Sequence, residues 1–179
     1  SIGLHLPVSV NISAHQLQQG NFDKRLKTLL DCQPDVNASS LELEILETSA
    51  LEDIAQVSEA MHACRALGVH FALDDFGTGY SSLTYLRRLP AEVIKIDQSF
   101  VRDMLDSPDD LSIIKGVIGL AAAFRRDIIA EGVETKAHGT LLLSMGCIKV
   151  QGFGIARPMP AAALPDWAAN WHVTKGWAS

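Results

Sequence analysis

The chain has 179 residues, 47% of them apolar and 20% charged, which is enough for one domain with a real core and unlike a disordered segment. Its formal charge of -6 comes without a basic tract, which argues against double-stranded nucleic acid as a partner but leaves room for a small phosphate ligand held through metal ions. No apolar run reaches the ~20 residues of a membrane span, and the opening SIGLHLPVSV has neither a basic n-region nor a cleavage pattern.

The opening lacks Met and enters an apolar strand almost at once, as the interior of a larger protein would. The cysteines Cys32, Cys64 and Cys147 are scattered and odd in number, and read as reduced core thiols of a cytosolic protein. The six His residues show no ligand spacing, and without a secretory signal the two glycosylation sequons at Asn11 and Asn37 read as chance.

Short apolar runs alternate with amphipathic stretches. A strand is expected over 7–12, ending at Asn11, and a helix over about 22–31. The strand 41–46 carries Glu44, with Glu47 just after it. Over 52–67 the residues Ile54, Val57, Met61, Cys64 and Leu67 fall at helical spacing, and Gly68 stops the helix. The strand 69–74 runs into FALDDFGTGYSSL, which sets Asp74 beside Asp75 before a Gly-rich turn. Lys95 lies in the strand 93–96, with Asp97 next.

A second amphipathic helix spans 110–125 through Leu111, Ile114, Val117, Leu120 and Phe124. The strand 127–131 delivers Glu131, with Glu134 beyond it. Thr135 caps a helix that runs to Met145 and stops at Gly146, and the strand 148–151 ends at Gln151. After Pro160 a last helix, about 161–171, carries Trp167 and Trp171 four apart, read as packing anchors.

Strand–helix alternation of this kind means α/β, either an open doubly wound sheet or a (β/α)8 barrel. No GxGxxG follows an early strand, so a dinucleotide site has no support. The position of the polar residues favours the barrel. Six consecutive strands end in functional-type side chains, and a barrel gathers all its strand ends on one face, whereas an open sheet gathers only those near its switch point.

Singly, each residue has a plainer reading. Asn11 could cap a turn, Glu44 could face solvent, Asp75 could open an Asx-turn, and Lys95 could pair with Asp97 on a surface. As a set they make chemical sense. Asn11, Glu44, Asp74, Asp75 and Glu131 all offer oxygen, which suits Mg2+, Mn2+ or Ca2+ rather than zinc. Four carboxylates in one pocket repel unless cations sit among them. Two such ions bridged by a carboxylate are the usual device for phosphodiester hydrolysis, with a lysine to orient water or stabilise developing charge.

The segments VSVNISAHQL, LELEILETSAL, FALDDFGTGYSSL, VIKIDQSFV, IIAEGVET and VQGFGIARPMP, in this order and over nearly the whole chain, resemble the EAL domain. This is the barrel phosphodiesterase of bacterial cyclic-di-GMP signalling. The resemblance implies that Asn11, Glu44, Asp74, Asp75 and Glu131 bind catalytic metals, two Mg2+ or Mn2+ ions. It implies that Lys95 is the water-associated lysine, that Gln151 and Asp75 meet substrate, and that Glu47 steadies the loop after Asp75. Asp97 and Glu134 sit in matching motifs as supporting catalytic residues.

The implied activity is hydrolysis of cyclic-di-GMP to linear pGpG by a cytoplasmic, homodimeric domain. Sensor or GGDEF domains are candidates for the rest of the parent chain, which is also a candidate for membrane anchoring. Degenerate members that bind cyclic-di-GMP without cleaving it are the alternative, but their acidic set usually erodes.

Two departures stand out. Leu46 replaces the usual Thr, which should alter packing only. No Glu-Ala-Leu motif is present, and about six βα units are legible where a closed barrel needs eight. The expectation is therefore a single EAL-like domain over 1–179 without its first two strands.

Overall fold

The computed structural model describes residues 6–50, 53–79 and 83–171. Its elements alternate along the chain. Strand β1 (Val8–Asn11) leads to helices α1 (Ala14–Leu17) and α2 (Phe22–Asp31), then β2 (Leu41–Leu46), α3 (Glu47–Ala50) and α4 (Ile54–Arg65). Next come β3 (His70–Phe76), α5 (Leu83–Arg88), β4 (Val93–Ile96), α6 (Gln98–Asp103) and α7 (Pro108–Ala123). The chain continues through β5 (Asp127–Ala130), α8 (Lys136–Ser144), β6 (Lys149–Val150) and α9 (Leu164–Asn170).

All described strands pair in parallel, in the order β1-β2-β3-β4-β5-β6. This order decides between the two expected architectures. A doubly wound sheet reverses its strand order at a switch point, whereas an unbroken sequential order winds every crossover the same way and curls the sheet. The result is a parallel sheet curled like half of a (β/α) barrel, with helices outside.

Strand alternation splits the sheet into two faces. The convex face carries Leu43, Ile45, Phe71, Leu73, Ile94 and Ile96, all buried. They form one core with Val57 and Met61 of α4, Ile114 of α7 and Leu142 of α8. The concave face is polar at two levels. Near the strand starts, Ser9 donates to Glu42 at 2.8 Å and Lys149 to Asp127 at 2.7 Å. Near the strand ends stand Glu44, Asp74, Lys95 and Glu131.

Helices α4, α7 and α8 begin on side-chain caps, whereas α2 has none. Asp53 accepts from Gln56 N, Ser107 from Asp110 N with Pro108 following, and Thr135 from His138 N. Trp167 and Trp171 stack on one another at 5.0 Å, and neither belongs to the buried core. Their role as anchors therefore gives way to a local pair, because α9 packs chiefly on the short 3-10 turn before it.

Candidate metal centre

The adjacent aspartates owe their geometry to a β-bulge. In the pairing of β3 with β4, Leu73 opposes Ile94 and Phe76 opposes Ile96, so Asp74 and Asp75 together face the single residue Lys95. The extra residue is Asp75, which adopts a left-handed φ of 52°. Asp tolerates that region better than bulky or β-branched residues. The sequence suggested a turn that carries Asp75 inward. The strand instead continues to Phe76, and the bulge turns both carboxylates toward one place.

Lys95 is the hub. Its Nζ lies 2.8 Å from each of Glu44 Oε2, Asp74 Oδ1 and Glu131 Oε1, carboxylates from β2, β3 and the end of β5. All four side chains are largely shielded, with 3% of the Lys95 side chain exposed. Burial pushes the ammonium down, but contacts with Asp74, Glu131 and Glu44 push it up by more, so it stays charged. Burial also raises the Glu131 carboxyl, against the pull of Lys95.

A second proton relation joins Asp75 to Asp97. Burial first, then the hydrogen bond with Asp97 and the charge of Asp74, lift Asp75 to about 6. For Asp97 burial works upward but loses to the donors around it, Ser99 Oγ and Ser99 N above all, so its carboxyl stays below the usual range. Asp97 also caps α6, so the start of that helix holds the partner of Asp75 in place.

Glu47 is buried and accepts from Gly77 N at 3.0 Å, with a further backbone hydrogen bond from Gly79. It thereby ties the turn after Asp75 to the end of β2. Space matters here too: a Cβ on Gly77, at φ +102°, would stand 3.0 Å from the Phe100 ring.

The carboxylate oxygens of Asp74, Asp75 and Glu131 lie within 4.8 Å of one another. The buried Asp74 Oδ1 has its ion contact with Lys95 but accepts no well-aligned hydrogen bond. A hard, oxygen-only donor set with a spare buried acceptor fits a divalent cation such as Mg2+ or Mn2+.

The remaining expected residues lie around this centre. Glu44 meets it through Lys95. Asn11 is exposed on β1, level with Glu44. Gln151 and Glu134 are exposed and line a cleft of about 210 Å3, with Glu131, Gln98 and Phe153. Leu46, level with Asp74, is 43% exposed rather than packed in the core. Sequence reasoning passed over Ser99, although an acidic residue two before a Ser at a helix start is a recognisable cap. It also passed over Phe153, whose ring carries the Arg157 guanidinium at 4.8 Å.

The chain is 41% identical over 162 residues to the cyclic di-GMP phosphodiesterase PA2567 of Pseudomonas aeruginosa, covering 90% of this chain and 27% of that protein. It thus spans about a quarter of that curated relative. Among solved structures, the EAL domain of Mycobacterium smegmatis DcpA superposes with a TM-score of 0.86 at 35% identity, covering 93% of this chain and 74% of that one. The PaMucR phosphodiesterase, in complex with c-di-GMP, gives 0.84 at 38% identity, covering 88% and 64%. The family model for the EAL domain matches residues 2–158, and the chain belongs to that family.

Proposed function

We propose that the domain to which these residues belong hydrolyses cyclic-di-GMP to linear pGpG with Mg2+ or Mn2+. The observation that carries this reading is the meeting of Glu44, Asp74 and Glu131, from three strands, on Lys95, with Asp75 brought alongside by the bulge. Related proteins that carry the phosphodiesterase name support the substrate.

Asp74, Asp75 and Glu131 would hold the cation, with Glu44 and Asn11 completing its surroundings. When bound, such an ion supplies an activated water and neutralises phosphoryl charge. The chain's own groups do the rest. Glu47 fixes the Gly77 turn, so Asp75 keeps its direction. Lys95 places positive charge where the phosphate would gain negative charge. The cleft with Gln151, Glu134 and Phe153 receives the nucleotide, with an aromatic face for a base. The site lies at the C-terminal ends of the strands, where barrel enzymes do their chemistry.

We place the domain in the cytoplasm as a homodimer, with two further strands of the parent closing the barrel beside β1. Among the described residues no helix is long and apolar enough to cross a membrane.

The test is product analysis with cyclic-di-GMP and Mn2+ on the full parent chain. Linear pGpG is expected from wild type. Turnover should fall at least about a hundredfold in Asp74→Asn and in Lys95→Ala, with circular dichroism unchanged. Near-normal rates in either variant would overturn the assignment. Tight binding without product would favour the sensing alternative.

A further inference from the structure

Lys95 is not free to act as it stands. An ammonium has three N–H donors. Three carboxylate oxygens surround this one at 2.8 Å, on Glu44, Asp74 and Glu131. The ammonium is therefore turned to these carboxylates rather than to a water or a phosphate. Two of the three, Asp74 and Glu131, also belong to the converging trio that fits a cation. The ammonium and a divalent ion would therefore draw on the same oxygens, in a shielded place where like charges repel strongly.

We propose that Lys95 is locked by these carboxylates as an internal counter-cation, and that a divalent ion entering between Asp74, Asp75 and Glu131 releases it. Loading is an exchange of one cation for another. It delivers two things together, a bound ion and a lysine with a free donor beside it. No proton changes hands; the ammonium keeps its charge and gives up contacts. The lock also explains how a chain can fold around several buried carboxylates before any ion arrives. Glu44, outside the converging trio, keeps the lysine tethered nearby. The inference rests on the metal-dependent reading above, and the experiment separates the two.

Mn2+ is titrated by calorimetry into the full wild-type chain and into Lys95→Met, without nucleotide. With no ammonium to displace, Lys95→Met should bind Mn2+ about tenfold tighter, although it turns over no substrate. Equal or weaker binding by the variant, with wild type binding normally, overturns the lock and leaves the metal site standing. If neither chain binds Mn2+, the metal reading falls and the lock with it. Should Lys95→Met not fold, the wild-type chain decides. The Lys95 side-chain 15N–1H correlation should shift or vanish as Mg2+ saturates the site, in step with occupancy. A correlation unmoved at saturation overturns the proposal.

Discussion

At the scale of single residues, the centre works by setting neighbours against one another. Asp75 is held at about 6 by burial and by Asp97, while the Ser99 donors keep Asp97 low. In the folded chain Asp75 therefore binds its proton before it would in the unfolded chain. A charged Asp75 thus destabilises the fold above about pH 6, and that penalty is relieved as the pH falls through 6 toward the ordinary carboxylate range. Asp97→Asn keeps an oxygen to cap α6 but removes the like charge. The Asp75 titration, followed by carboxyl 13C shifts in ion-free buffer, should then move down from about 6, with burial still holding it above the ordinary range. The pH-dependent part of the stability should shrink with it. A titration still near 6 in the variant would mean that burial alone sets the value. The clustering of acids was legible in FALDD. The bond from Asp75 to Asp97 was not, because it spans two strands and depends on a bulge that only the pairing of β3 with β4 places.

At the scale of elements, legibility followed length. The helices now seen as Phe22–Asp31, Ile54–Arg65, Pro108–Ala123 and Lys136–Ser144 were expected within a residue or two, because each repeats an apolar face for two turns or more. The four- to six-residue helices α1, α3, α5 and α6 were not, since one turn is too short to show a period. The strand ends were legible as polar residues after apolar runs, but their loops were not. The loops after β5 and β6 are joined by backbone: Val133 N donates to Gln151 O at 3.0 Å, and Gly154 N to Val133 O at 2.9 Å. A Cβ on Gly152 would lie 2.3 Å from Val133 N and from Val133 O. No rotamer relieves such a clash, because backbone stands on both sides. Gly152→Ala should therefore cost about 3 kcal/mol, read as the shift of a urea midpoint. It should also raise the KM of the parent enzyme, since the loop carries Phe153. A midpoint within about 0.5 kcal/mol of wild type would mean that the two loops separate freely.

At the scale of the whole molecule, the sequential strand order that builds one acidic face also leaves two sheet borders. The order was legible in the sequence through the convergence of polar strand ends, which made a barrel the expected architecture. The border at β1 is apolar and exposed. Val8 is 60% exposed and Val10 46%, in a strand whose other side pairs with β2, and Leu6 just before it is 47% exposed. An open strand with apolar side chains is a template for further pairing. Residues 1–179 expressed alone should therefore self-associate through β1. Sedimentation velocity at concentrations on the order of 100 μM should show it, with the larger species lost in Val8→Lys. The same argument gives the parent protein a use for this edge. Two preceding strands would cover it and set their own side chains beside Asn11 and Glu44, the least enclosed part of the centre. A longer chain carrying them should stay free of edge association and should bind Mn2+ more tightly than residues 1–179. If residues 1–179 stay monomeric and bind the ion as well as the parent does, β1 is a finished border and the centre needs nothing beyond it.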